Sequence, residues 1–200
     1  MPGSRDSYHH PDLPGALAEA ALALVAERGA RGFSLAEAAR RAGVSGSAPY
    51  RHYADRDSLL AALGVAAYER LERALRAAGA RARTPETRLA AMAAAYVRFA
   101  CERRAEFSIL FDAGLNKAAY PELAAAGDRA NAVFLAHVAA ACAGDARRAA
   151  TLALGLRASA HGFATLLLDG SLEAAGVPAD DVPAAAARAA RALVAGTLGA

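Results

Sequence analysis

Phe33 to Tyr53 reads FSLAEAARRAGVSGSAPYRHY, and this stretch decides the fold. Ser34-Leu35-Ala36-Glu37 has the form of a capping box: the serine hydroxyl accepts from a first-turn amide, and Glu37 reaches back to the cap. Leu35, Ala38, Ala39 and Ala42 recur at helical spacing and line one apolar face. Gly43 ends that helix, because a left-handed residue costs glycine little. Val44 points inward, and Ser45 caps a second helix expected from Gly46 to about Tyr53. Two capped helices around a glycine turn make a helix-turn-helix, whose second helix enters the DNA major groove.

Charge agrees. Arg28 to Arg56 holds six arginines and two acids, a net +4 where the whole chain has +3. Positive charge is thus gathered where phosphates would be met, although a basic face on an ordinary helical hairpin would look the same by charge alone. Within the second helix, Ser47 and Arg51 are four apart and share a face. Arg51 either makes a bidentate contact with a guanine edge or binds a phosphate, and Ser47 is a weaker base contact. Gly46 lets the backbone approach closely. Tyr50 and His52 flank that face with phosphate-binding groups, Tyr53 packs inward with Val44, and Pro49 sits in the first turn, where it removes only the earliest helical bond.

Around this motif the chain is expected to be all-α. It has 200 residues, 56% of them hydrophobic and only 6% aromatic, and alanine dominates. Residues 1–11 read as a loose polar arm able to reach phosphates or the minor groove. Asp12 caps a bracing helix that runs to Arg28 and stops at Gly29. Asp55 caps a longer helix whose stripe of Leu60, Leu63, Ala67, Leu71 and Ala74 ends at Gly79. Arg56 stands at its positive end, a conflict that a phosphate would resolve. The expected division is an arm and DNA-binding head over 1–58, a linking helix to about 79, and a helical body over 80–200, with about nine helices in all.

In the body, Thr84-Pro85-Glu86 opens a helix to about Arg104, and a short one spans about Ala105 to Ala113. Others run from Pro121 to near Gly144, from Asp145 to Leu168, and from about Pro183. The last two long helices are rich in small residues, which suits either a four-helix interface between two subunits or a closed monomeric bundle. Cys101 and Cys142 read as buried, reduced core thiols. There is no apolar leader, and no apolar run reads as long and charge-free enough to span a bilayer, so a cytoplasmic protein is expected. No metal-ligand spacing, nucleophile elbow, phosphate-cradling loop or paired carboxylate appears, so neither catalytic residues, metal nor cofactor are expected.

Phe33-Ser34-Leu35, Ala38-Ala39, Ala42-Gly43-Val44-Ser45, Ala48-Pro49-Tyr50-Arg51-His52-Tyr53 and Asp55-Arg56-Asp57-Ser58-Leu59-Leu60 together resemble the TetR family of bacterial transcriptional repressors. The resemblance implies phosphate contacts at Tyr50, His52 and Arg56, a homodimer formed by the last two long helices, and a small-molecule effector. With it, the candidate DNA contacts are Ser34, Ser45, Gly46, Ser47, Ala48, Tyr50, Arg51, His52 and Arg56. Ala48 departs from the family, where threonine is common. Arg157-Ala158-Ser159-Ala160-His161-Gly162-Phe163 resembles a subgroup's His-Gly signature, but Arg157 stands where a tryptophan is usual. Tyr96, Phe99, Phe107, Phe111, Phe134 and His161 are the candidate effector contacts in a largely apolar cavity. His161 reads more readily as a hydrogen-bonded structural histidine. The implied function is a sequence-specific regulator released from a palindromic double-stranded operator by its effector. Against it stand a nucleoid-type binder with little specificity and a helical protein-interaction module.

Overall fold

Helix caps set the architecture. In the computed structural model, which describes residues 12–199, Asp12 accepts from the Gly15 amide at 2.9 Å and opens α1 (Leu13–Arg28). Ser34 and Glu37 complete the capping box of α2 (Leu35–Arg41), with bonds of 2.9 and 3.2 Å. Gly43 follows at φ 70°, a turn that would strain any side chain. Asp55 caps α3 (Arg56–Ala80), and Thr84 caps α4 (Pro85–Glu102). The chain continues through α5 (Arg104–Phe111), α6 (Pro121–Ala141), α7 (Ala146–Leu168), α8 (Ser171–Ala174) and α9 (Val182–Leu198). The described residues therefore form nine α-helices and no strand. The N-terminal arm expected over residues 1–11 lies outside them.

The second helix of the motif is much shorter than its sequence suggests. In place of an α-helix from Gly46 to Tyr53 there is a 3₁₀ turn at Pro49–Arg51, flanked by looser turns. Proline explains this. It has no N–H to give the Ser45 carbonyl, which is instead taken by the Ala48 amide at 3.0 Å. Arg51 then bonds back to Ala48, and His52 to Pro49, both three residues away. Ser45 caps nothing; its hydroxyl lies 3.4 Å from that of Ser47.

Other differences are smaller. Gly79 is a buried interior residue of α3, which ends one residue later. The stripe of α3 is completed by Tyr68 and Leu75, not Ala74, which is only partly buried. Cys142 is buried but Cys101 only partly so, and both are free thiols. Contrary to the sequence reading, α7 does reach the length and apolarity of a bilayer span, with a mean hydropathy of 1.2 over its best 18 residues. Leu152, Leu156, Ala160, Ala164 and Leu167 pack inward, where α7 lies against α4, α6 and α9, but only 28% of that window is buried.

Two main apolar cores result. The first joins α1, α2 and the start of α3 around Leu17, Leu24, Phe33, Leu35, Leu59 and Leu60. Ile109 and Ala113, from α5 and the residues after it, enter the same core and fasten it to the rest of the molecule. The second is built by α3, α4, α5, α6, α7 and α9. Helices α3 and α6 approach closely at Gly64, where an added Cβ would sit 2.7 Å from Leu123 Cδ1. Buried Glu106 of α5 accepts from Arg70 of α3 at 2.9 Å and faces Arg103 at 3.6 Å, so its desolvated charge is answered twice.

Candidate functional site

The helix-turn-helix displays its polar groups on the turn after Gly43. Pro49 is buried and anchors the turn, while Tyr50 is 57% exposed and Arg51 and His52 are exposed beside it. Ser45, Gly46 and Ser47 are exposed, and Ala48 is partly buried. Where bonds run from i to i+3, side chains three apart eclipse. The α-helical pairing of Ser47 with Arg51 is therefore lost, and Ala48 is the residue three before Arg51. Ser34 is exposed, but its hydroxyl donates to Glu37 Oε2 at 3.0 Å and also accepts from the Glu37 amide.

The positive charge is more engaged than the sequence count suggests. Arg41 makes a two-pronged pair with Glu27 at 2.8 and 2.6 Å, and Arg28 reaches Glu37 at 3.0 Å. Bonds from the Ser34 amide and hydroxyl, then from Arg28, hold the Glu37 carboxyl below its ordinary pKa. Arg56 lies against Asp57 at 2.6 Å and donates to the Arg31 carbonyl at 3.3 Å. Arg31 donates in turn to the Asp112 carbonyl at 3.1 Å. Among the described residues the Arg51 side chain has no hydrogen-bond or ion-pair partner. Extending the counted stretch to 27–57 adds Glu27 and Asp57 and lowers its charge to +2.

A cavity of about 720 Å³ lies between α3, α4, α6 and α7. Of the six candidate contacts, Tyr96, Phe111, Phe134 and His161 line it. The Tyr96 hydroxyl is 2.9 Å from His161 Nδ1, and burial pushes the phenol pKa well above its ordinary value, so Tyr96 stays neutral. Phe111 meets the His161 ring edge to face at 5.0 Å. Phe107 and Phe99 do not line the cavity. Phe107 stands behind, 4.7 Å from Phe111 and stacked on His161 at 5.6 Å, and Phe99 is buried in the packing beyond.

Sequence reading missed the cavity's Tyr68, Lys117 and Asn131 and met Arg157 only as a departure from the subgroup's tryptophan. Tyr68 had a findable signal, since it lies at helical spacing between Gly64, Leu71 and Leu75 on the buried face of α3. Arg157 is one turn before His161 on α7 and shares its face. Lys117 sits in a 3₁₀ turn between α5 and α6, where no periodic pattern points to it. Its Nζ donates to the Tyr68 hydroxyl at 2.6 Å, and Arg157 Nη2 donates to Asn131 Oδ1.

Comparison with known proteins agrees with this architecture. Residues 17–63 match the model of the tetR family of bacterial regulatory proteins. Residues 89–193 match that of the tetracyclin repressor-like C-terminal domain. A Rhodococcus sp. RHA1 protein of unknown function is 34% identical, with a TM-score of 0.75 over 94% of this chain and 97% of that one. A transcriptional regulator of the same organism is 27% identical, with a TM-score of 0.67 over 94% and 96%. A tetR-family regulatory protein from Rhodococcus RHA1, at 21% identity and a TM-score of 0.73 over 90% and 96%, shares the fold. No curated protein matches the chain. With its helix-turn-helix and its helical body both matched, the chain belongs to the tetR family of bacterial regulatory proteins.

Proposed function

We propose that this regulator is a cytoplasmic, homodimeric repressor that binds a palindromic operator and is released by a small molecule held in the cavity. The head over residues 1–58 reads DNA, and the body over 80–200 dimerises and binds the effector. The observation that carries this reading is that the exposed Tyr50-Arg51-His52 turn and the cavity are joined by one continuous helix, α3, which begins beside the turn and lines the cavity through Tyr68, Leu71 and Leu75. An effector acts only through a difference in its affinity for two arrangements of the heads. Tyr50 and His52 bind phosphate, Arg51 reads a base, and Arg56, already paired with Asp57, contributes least. Dimerisation is supported by the outer faces of α7 and α9, which leave Leu154 70%, Leu166 43% and Leu193 36% exposed among small residues.

Selection of bound duplexes from a random DNA pool, with purified protein at moderate salt, tests the proposal. An enriched palindrome with half-sites about one helical turn apart, or a multiple of it, is the expected result. Binding without enrichment would replace it with a nucleoid-type role. No binding by protein freed of ligand would leave the interaction module.

A further inference from the structure

We infer that the effector is an amphipathic monoanion: an acidic head, such as a carboxylate, on an apolar body about 10 Å long. The inference rests on the reading of the cavity as the effector site. It comes from how the lining is sorted along the helices. Helices α3 and α6 run parallel, since Gly64 faces Leu123 and Tyr68 faces Gly127. Helix α4 returns antiparallel, since Arg88 beside its start donates to the Gly79 carbonyl near the end of α3. One level of the cavity therefore holds Tyr68, Tyr96 and the Gly127–Asn131 turn of α6. The other holds Leu75, Leu89 and Phe134. Seven residues of α3 separate Tyr68 from Leu75, or about 10 Å at the helical rise.

The polar level is rich in donors and net positive. Lys117 and Arg157 reach the α6 turn by separate routes, one through Tyr68, which lies against Gly127, and the other through Asn131. Asp128, on the same turn, is the one acid among the lining residues, which leaves one positive charge unmatched. The Tyr68 hydroxyl accepts from Lys117, so its own proton remains to be donated. Arg157 spends one N–H on Asn131, which orients the guanidinium and leaves its other donors. Lys117, Asp128 and Arg157 are exposed, as are the lining residues Phe111 and Leu154, whereas Leu75 and Leu89 are buried, so the charges stand at the mouth beside two apolar side chains and the buried leucines form the floor. An anion entering tail first keeps its head at this mouth, where two cations receive it without full desolvation.

The test uses the full chain and three probes of equal length: decanoate, 1-decanol and decylamine. Affinity is measured by titration calorimetry, and release by the loss of labelled duplex. Decanoate should bind at least about tenfold more tightly than decanol, as a charge-assisted contact implies, with decylamine weakest. The decanoate-to-decanol ratio should fall towards one in Arg157→Gln and in Lys117→Gln, and return in part in Arg157→Lys. A ratio near one in the unaltered protein, a ratio unchanged by both glutamine variants, or no binding by any probe would overturn the inference. Release of DNA by decanol as well as by decanoate would overturn it while leaving the effector reading intact. Decanoate binding with the expected ratios but no change in duplex affinity would uphold the head-group chemistry and sink the effector reading instead.

Discussion

The head and the body solve opposite packing problems with similar helices. The head closes on leucines: Leu17, Leu59 and Leu60 are wholly excluded from solvent, and ion pairs and caps fix the short segments around them. The buried core of the body leans towards alanine and that of the head towards leucine, and four of the body's helices stop short of filling the space between them. A densely packed head can present Tyr50, Arg51 and His52 in one arrangement. A body with room inside can respond to what enters it. The difference is one of side-chain volume, since both parts are helical throughout.

The sharpest way to break this comparison is to remove the same group from each part. Leu59→Ala, in the filled head, should cost about 2–5 kcal/mol. Leu71→Ala, which already faces the cavity on one side, should cost roughly half as much, because contacts on that side are absent to begin with. Urea unfolding measures both, and equal losses would deny that the body is built around space. At the surface of the head, Arg51→Ala should lose about 1–3 kcal/mol of discrimination at one base position. An equal loss on every sequence would move Arg51 to the phosphates. Tyr50→Phe should weaken all duplexes evenly, and a changed base preference in the same selection would reverse its assignment.

Where the two parts meet, Arg31→Ala removes the 3.1 Å bond to the Asp112 carbonyl. Since Arg31 is exposed, it should cost only about 0.5–1 kcal/mol in urea unfolding. The smallest effect belongs to His137, in the body. Burial, then the charges of Arg88 and Arg76, hold its pKa below the ordinary 6.5. The unfolded chain thus takes up this proton first, so acidification from about pH 6.5 downward should erode stability. His137→Gln should flatten that part of the stability profile; an unchanged slope would assign the erosion to other groups.

What the sequence revealed follows the same division. Caps and stops are local, so Asp12, Ser34 with Glu37, Asp55, Thr84 and Asp145 could be placed by inspection, as could the turn at Gly43. The recognition turn was misjudged because serine, glycine and proline at 45–49 permit either helix type, and the missing proline N–H tipped the balance to the tighter one. The break at Arg103, between α4 and α5, carries neither glycine nor proline, yet the change in apolar pattern placed it to within two residues. In the cavity, Tyr96, Phe111, Phe134 and His161 were legible as aromatics on body helices. Lining, however, depends on how four helices turn towards one another. Phe107 and Phe99 have the same character and face elsewhere, and Lys117 reaches in from a connection with no period.

The 25-residue α3 is continuous from Arg56 to Ala80. From Leu75, beside the cavity floor, to Arg56 is 19 residues, or about 28 Å of unbroken rod. As a lever pivoting at its cavity end, it would carry Arg56 about 2–3 Å for a tilt of about 5°, close to the full length of a hydrogen bond. In the proposed dimer, two such levers, one per subunit, would double the change in span between the two turns. If the proposed release holds, a displacement too slight to disturb the packing around a ligand would be large enough to take both heads out of step with a DNA groove.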